Sequence, residues 1–381
     1  MNELSFHIGP IRPPSEADSL LFQVTNGCTW NKCKFCQLYK HTRFKAYSVD
    51  ALKHEIDNMV LLAERVRQYR LPAGEWDIQG LNEELAFIQN DMERQSFYMI
   101  ANWLVNGGEN VFLQDGNSLV LQRGRLSEVL KYLKQSFPNI KRITSYGRAE
   151  NLSRVSAEEF AELKEAGLDR IHSGFESGSD RVLQHINKGV TQAQEILAGK
   201  NIKKGGIELS IYFMPGVGGK PLSKENAEET AYVLNQINPD FLRIRTFAAQ
   251  EGTELYQEWE DGKHIPCNDE EIVLEIRRVI ELAEGVDTVI VSDHIINLLQ
   301  KVEGKLVAEK QYLLDIIDEF LHLPEEEKKE YQIARRLGMV LEPADMSRLS
   351  GRQMDYIRSV KASFGGMDWA KAVNSLMQRY I

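Results

Sequence analysis

The chain has 381 residues, 43% apolar and 27% charged, with 46 basic against 56 acidic side chains and hence a net charge of −10. That is ordinary globular composition, long enough for one large domain with appendages, and its acidity argues against nucleic acid or anionic lipid as partner unless a local basic patch intervenes. No apolar run approaches a membrane span, "MNELSFHIGPIRPPSEAD" lacks the regions of a secretion signal, and four cysteines make no disulfide framework, so a reducing cytoplasm is the expected compartment.

After an N-terminal extension over residues 1–17, the first strand is expected at "LLFQV" (Leu20–Val24). It runs into "TNGCTWNKCKFCQLYK", where Cys28, Cys33 and Cys36 stand as C-x4-C-x2-C, three cysteines within nine residues. Ser48 then caps a helix whose apolar stripe is Val49, Leu52, Ile56, Met59 and Ala63. About forty residues follow, with a helix over roughly Asn90–Val105, before "VFLQDG" (Val111–Gly116) reads as strand and "LSEVLKYLKQSF" as helix. Basic runs such as Arg123–Lys134 read as solvated helix faces. "RITSYG" (Arg142–Gly147) is the third strand, and the next helix opens on a capping box of Ser156 with Glu159 and closes on Gly167. "RIHSGFES" (Arg170–Ser177) leads to a helix through Ile186. "IELSIYFMPG" (Ile207–Gly216) precedes a helix that turns Ala227, Ala231 and Leu234 inward, and "FLRIRTF" (Phe241–Phe247) is the sixth strand.

Beyond about Gly252 the pattern becomes helical. Two amphipathic helices carry apolar faces, Ile272, Leu274, Ile276, Val279, Ile280 and Leu282 on one and Leu313, Leu314, Ile317 and Leu321 on the other. No Pro/Gly/Ser-rich linker separates Thr246 from Asp269, so this segment is expected to dock on what precedes it.

Six strands alternating with helices predict a parallel sheet of βαβ units, and an open doubly wound sheet and a partial barrel both fit. In either, the site lies at the C-terminal strand ends. These are Cys28–Cys36, Asp115–Asn117, Ser145–Arg148, Glu176–Ser179, Pro215–Lys220 and Thr246–Gln250. Three thiolates leave two metal readings open. With His41, five residues past Cys36, they make a closed zinc site. A 4Fe–4S cluster held by three thiolates instead leaves one iron free for a cofactor or substrate.

The cysteine triplet after strand one, with Phe35 directly before the last cysteine, resembles the radical S-adenosylmethionine (SAM) superfamily. The usual spacing there is C-x3-C-x2-C, and this chain has one extra residue in the first gap. "VFLQDGNSL" is similar to that family's glycine-rich loop after strand two, which places Asp115, Gly116 and Asn117 toward the methionyl amino group, with Ser145 at the end of strand three. "GLDRIHSGFESGSDRVLQHINKGVT" resembles strand four and its helix, which implies Glu176 as a polar SAM contact and Lys188, twelve residues on, as partner of the SAM carboxylate. "YFMPGVGG" resembles the adenine-binding strand five through Met214, Gly216 and Gly219, with Tyr212 in place of its first glycine.

The resemblance covers roughly residues 18–255 and is nearest to the Elp3/MiaB/NifB-like group, which includes the oxygen-independent coproporphyrinogen dehydrogenases. It implies an α/β fold, a partial (β/α)6 TIM-type barrel over 18–255, with the largely helical segment 256–381 covering it. It also implies one 4Fe–4S cluster on Cys28, Cys33 and Cys36, SAM as cofactor, and an electron donor such as flavodoxin or ferredoxin. The enzyme would be oxygen-sensitive, cleaving SAM reductively to a 5′-deoxyadenosyl radical that takes hydrogen from the substrate.

The substrate is not written in these motifs. Cys267 stands alone, so cysteines supply no second cluster, and no D-x-H-x-x-G cobalamin signature is present. Tyr39, Tyr146, Arg148, Arg243 and Arg245 are lumen candidates by position. Arg243 and Arg245, two apart on a strand, point the same way and favour a small anionic substrate, with neither nucleic acid nor membrane as partner. His294 stands near the substrate end, although a lone histidine beside an apolar segment is more often structural. Two other classes stay open, a zinc-binding scaffold using Cys28, Cys33, Cys36 and His41, and a SAM-binding regulator without radical chemistry.

Overall fold

The computed structural model describes residues 4–380. Eight strands stand in chain order in one sheet, and every pairing with a stated register is parallel except the last. Chain-order parallel neighbours joined by helical crossovers are the topology the α/β expectation requires. The six expected strands are all present, and two short ones join them.

The chain divides into two compact units. The first comprises residues up to 29, 41–173 and 201–208. It holds β1 (Leu20–Gln23), β2 (Asn110–Gln114), β3 (Arg142–Tyr146) and the start of β4 (Arg170–Glu176). Leu20 faces Val111, Val111 faces Ile143, and Ser145 faces Ile171. Strand β1 is buried along its whole length, as a parallel strand covered on both faces must be. The helices are α1 (Val49–Arg67), α2 (Ile78–Phe87), α3 (Asp91–Val105), α4 (Arg123–Ser136), α5 (Ala149–Leu152) and α6 (Ala157–Ala166). The Ser48 hydroxyl accepts from Ala51 N–H at 3.2 Å, and Leu52, Ile56, Met59 and Ala63 are buried, as the stripe predicts. The Ser156–Glu159 capping box forms, and Gly167 ends α6 at φ 114°, where a side chain would be strained. Helix α2 carries a short stripe, Ile78, Leu81 and Leu85, of which Leu81 alone is buried. A two-residue ribbon, Thr25–Asn26 against Lys45–Ala46, joins the two ends of the cysteine-bearing loop.

The second unit comprises residues 30–40, 174–200 and 209–381. It takes the end of β4 and holds β5 (Glu208–Phe213) from Leu209 onward, β6 (Phe241–Ile244), β7 (Val289–Val291) and β8 (Gly304–Lys305). Phe213 faces Ile244, and Leu242 faces Ile290. Its helices are α7 (Asp180–His185), α8 (Gln192–Lys204) as far as Lys200, α9 (Ser223–Ile237), α10 (Glu254–Glu260), α11 (Asp269–Leu282), α12 (Leu306–Leu321), α13 (Glu325–Arg336), α14 (Gly351–Ser363) and α15 (Trp369–Met377).

The C-terminal part is therefore not helical throughout, since the β-branched run at β7 extends the sheet beside β6. Helix α11 packs along α9 and buries Ile272, Ile276, Val279 and Ile280. One expectation for that face is corrected. Leu274 is 50% exposed, and the buried place belongs to Glu275 at 2%. Position 275 lies three residues after Ile272 and four before Val279, on the stripe, whereas 274 lies two from both Ile272 and Ile276, on the far side. Asn374 of α15 clasps the loop after β6, accepting from Ala249 N–H and donating to Ala249 C=O, each at 3.1 Å.

Candidate active site

In the first unit the strand ends hold the entry to the cysteine loop. Gly27, at φ 91°, donates its N–H to Asp115 Oδ2 at 2.6 Å, and Gln23 Nε2 donates to the same oxygen at 3.0 Å. Cys28 follows, half-buried. Asn117 Nδ2 donates to Asn151 Oδ1 at 2.5 Å and to Thr29 Oγ1 at 3.2 Å, and its own oxygen accepts from Arg148 N–H at 3.3 Å. Asp115 and Asn117 are thus buried and engaged with the chain on either side of Cys28, with Gly116 half-buried between them. Buried Ser145 donates to Tyr146 C=O at 3.1 Å, and the Tyr146 ring lies 4.9 Å from Phe112. His41 is exposed.

In the second unit the later half of the loop is pinned at four points. Trp30 Nε1 donates to Asn187 C=O at 2.8 Å, and Asn187 Nδ2 donates back to Lys32 C=O at 3.0 Å. Lys34 N–H donates to Ile186 C=O at 3.0 Å, and Lys34 Nζ pairs with Glu258 at 2.5 Å. Cys33 and Cys36 are half-buried, and between them Phe35 packs on the cluster of Val182, Ile186, Met214 and Val217. Tyr39 is buried close by in the sequence.

Lys188 Nζ lies 5.8 Å from the Phe35 ring centroid and 2.8 Å from Glu176 Oε1. Glu176 C=O in turn accepts from Met214 N–H at 2.8 Å. Phe35, Glu176, Lys188 and Met214 therefore form one connected group. Asp115 at φ 90° and Glu176 at φ 69° are the only carboxylates among the described residues in the left-handed region; Glu176 ends β4 and Asp115 directly follows β2. Such backbone strain clusters at working sites, and nothing in the sequence marks it.

Three further polar side chains in this unit escape the motifs. Glu275 Oε2 accepts from Gly216 N–H at 2.9 Å and from Asn226 Nδ2 at 2.8 Å, and Cys267 Sγ donates to Oε1 at 3.6 Å. Burial holds the Glu275 carboxyl up at about 7. Burial first, and the Glu275 charge second, push the Cys267 thiol far above its ordinary range. Glu195 is fully buried, with neither carboxyl oxygen hydrogen-bonded among the described residues, and burial raises its pKa well above normal against the pull of Lys188. An acid on an apolar stripe is the signal that could have found Glu275.

Gly189 carries a test of the loop's seat. It sits at φ 69°, and a Cβ built there would lie 2.5 Å from the Trp30 indole. Gly189→Ala is expected to dislodge Trp30 and expose residues 30–40. The measurement is tryptophan emission together with the rate of proteolysis in that segment. Unchanged emission and protection would mean that Trp30 does not hold the loop.

No three His, Cys, Asp or Glu side chains among the described residues gather at metal-binding distances. The donor set itself suits an iron–sulfur cluster, because none of Cys28, Cys33 and Cys36 is in a disulfide and thiolates are its ligands. Farther along the second unit, Arg243 pairs with Asp293 at 2.7 Å, and Arg245 Nη1 lies 2.7 Å from His294 Nε2.

A family model described as the Radical SAM superfamily matches residues 22–231 of the 381. The tRNA uridine(34) acetyltransferase of Methanocaldococcus jannaschii is 27% identical over 116 residues, 30% of this chain and 21% of that protein. A methyltransferase of Pyrococcus horikoshii, described as uncharacterized, is 26% identical over 146 residues, 38% of this chain and 30% of that protein. The chain thus spans about a fifth to a third of the length of these curated relatives. Among solved structures, the archaeal Elp3 of Methanocaldococcus infernus superposes with a TM-score of 0.39 at 20% identity, over 48% of either chain. The cobalamin-dependent radical SAM enzyme OxsB gives 0.45 at 13% identity, over 94% of this chain and 57% of its own.

Proposed function

Because the chain belongs to the radical SAM superfamily, whose enzymes use a 4Fe–4S cluster and SAM, we propose that Cys28, Cys33 and Cys36 hold that cluster. Phe35, Asp115, Gly116, Asn117, Ser145, Glu176, Lys188, Met214 and Gly216 are proposed for the SAM site. When bound, the cluster and SAM together supply a carbon radical that takes hydrogen from the substrate. In this reading residues 18–255 carry both cofactors and residues 256–381 complete the substrate pocket. The compartment is the cytoplasm and the electron donor is of the flavodoxin or ferredoxin kind. Among the described residues no helix is long and apolar enough to cross a membrane.

The observation that carries the reading is the Glu176–Lys188 ion pair lying against Phe35 between two cysteines of the loop. A paired carboxylate and ammonium complement the ammonium and carboxylate of an amino acid. Such a pair can exchange partners with the methionyl end of SAM without leaving a charge bare. Lys188→Ala is therefore expected to weaken SAM binding roughly ten- to a hundredfold, the worth of about 1.5–3 kcal/mol for a charge-assisted hydrogen bond. Cluster absorbance should not change. Because the variant strands Glu176, the double variant Lys188→Ala with Glu176→Gln is measured beside it by calorimetry. Unaltered SAM affinity in both would make the pair structural.

The reaction itself is tested by anaerobic incubation with dithionite and SAM. Release of 5′-deoxyadenosine supports radical chemistry, whereas SAM binding without product points to a regulator. Zinc in place of iron would return His41 to the ligand set. For the substrate, Arg245 favours a small anionic molecule, whereas Arg243, two residues before it, is paired with Asp293. The names of two curated relatives favour tRNA instead, through a match covering about a third of this chain. The net charge of −10 weighs against a polyanion.

A further inference from the structure

In the second unit, four arginines converge on residues 293–297, and only two are matched by carboxylates. Arg243 on β6 lies 2.7 Å from Asp293 and donates through Nε to Ser210 Oγ at 3.1 Å. Arg336 on α13 pairs with Asp269 at 2.8 Å and donates to Ile296 C=O. Arg245 and Arg335 have no carboxylate within ion-pair distance among the described residues. Arg335 is 2% exposed, donates to Ile295 C=O at 2.9 Å, and keeps an Nε with no partner. Arg245 follows the end of β6 directly and is half-buried, with His294 as its hydrogen-bond partner.

His294 cannot serve as the missing counter-ion. Arg245 Nη1 faces its Nε2 at 2.7 Å, and Ile296 N–H faces its Nδ1 at 3.3 Å. Both neighbours donate; a neutral ring, which carries one proton, accepts from only one of them, and protonating the second nitrogen would set an N–H against the guanidinium as well. Burial, and then the Arg245 charge, push the ring down to about 3. The imidazole stays neutral and fixes the guanidinium without cancelling it. Asp293 is committed to Arg243, and Asp269 to Arg336. Two guanidinium charges remain over, one of them in a fully buried side chain, although the chain as a whole carries −10. Removing a charge from water without a partner is costly, and a planar guanidinium fork suits a carboxylate or phosphate.

We propose that Arg245, held by neutral His294 and supported by Arg335, receives the carboxylate or phosphate group of a small substrate. The proposal rests on the small-anion reading given above.

The test uses the anaerobically purified full chain, with inorganic phosphate and acetate as probes at fixed ionic strength, measured by calorimetry with and without SAM. Wild type is expected to bind at least one probe, and Arg245→Gln to weaken that binding at least tenfold. His294→Glu sets an internal carboxylate beside Arg245. It is expected to raise the melting temperature and abolish probe binding, which a purely structural arginine would not produce. Equal binding by wild type and Arg245→Gln, or no binding of either probe by wild type, overturns the proposal. So does Arg245-dependent binding of a short single-stranded RNA without binding of the small anions. Absence of 5′-deoxyadenosine with anion binding intact would fell the radical reading and leave this site standing.

Discussion

Alanine at Cys28, Cys33 or Cys36 is expected to abolish iron binding outright, and alanine at Cys267 is expected to leave it intact. The first three thiols are half-buried in one loop, and none is in a disulfide. Three thiolates are the whole protein contribution to a cluster with one open iron, so the loss of any one leaves two irons without a protein ligand. Cys267 stands apart. Its sulfur is buried and donates to Glu275, and burial together with that carboxylate disfavours the thiolate a metal requires. The measurement is iron and sulfide per chain with visible absorbance after anaerobic reconstitution. Iron lost from the Cys267 variant would mean a wrong ligand set. Wild type holding one zinc and no iron would overturn the cluster altogether.

The motif residues are readable in the sequence to the extent that local chemistry marks them. Ser156, Glu159 and Gly167 announce both ends of one helix, and both ends form as expected. Lys188 and Glu176, twelve residues apart, meet because a short helix and turn fold the chain back between them. What stays hidden depends on tertiary context. The three-residue strand at Val289–Val291 is too short to carry a pattern, and its place is set by pairing with β6. Helix α8 goes unannounced because "TQAQEILAGK" spreads its apolar residues without a continuous stripe. Arg335 and Arg336 read as basic residues closing a helix, where a macrodipole favours them. Their burial against the 295–296 backbone is visible only once that loop is placed. The strain at Asp115 and Glu176 has no sequence signature, because neither residue type demands a positive φ.

Glu275 is where the C-terminal segment reaches the proposed SAM site, and its replacement should separate packing from charge. Gly216 sits at φ 87° just past β5, and Glu275 of α11 accepts its buried N–H. Glu275→Leu would leave that N–H and the Asn226 amide without their acceptor. Each stranded donor costs about 1–3 kcal/mol, so a loss of roughly 2–6 kcal/mol is expected, with a matching loss of SAM affinity as the loop drifts. Glu275→Gln keeps an oxygen for both donors and changes only the charge. The wild-type carboxyl stands at about 7 in the fold against an ordinary 4.5. A raised carboxyl means that the folded form holds the proton more tightly than the unfolded chain. Ionisation therefore works against the fold from about pH 4.5 upward, and the penalty is complete above about pH 7. Each tenfold gain in proton affinity is worth about 1.4 kcal/mol, so wild type should lose about 3 kcal/mol by pH 8 that the glutamine variant keeps. The two proteins should match at pH 4–5, and Glu275→Gln should be the more stable at pH 8, read from denaturant midpoints across that range. Curves that run parallel would mean that the three donors hold Glu275 ionised at its ordinary pKa, so that the C-terminal segment binds the Gly216 loop by charge rather than by shape.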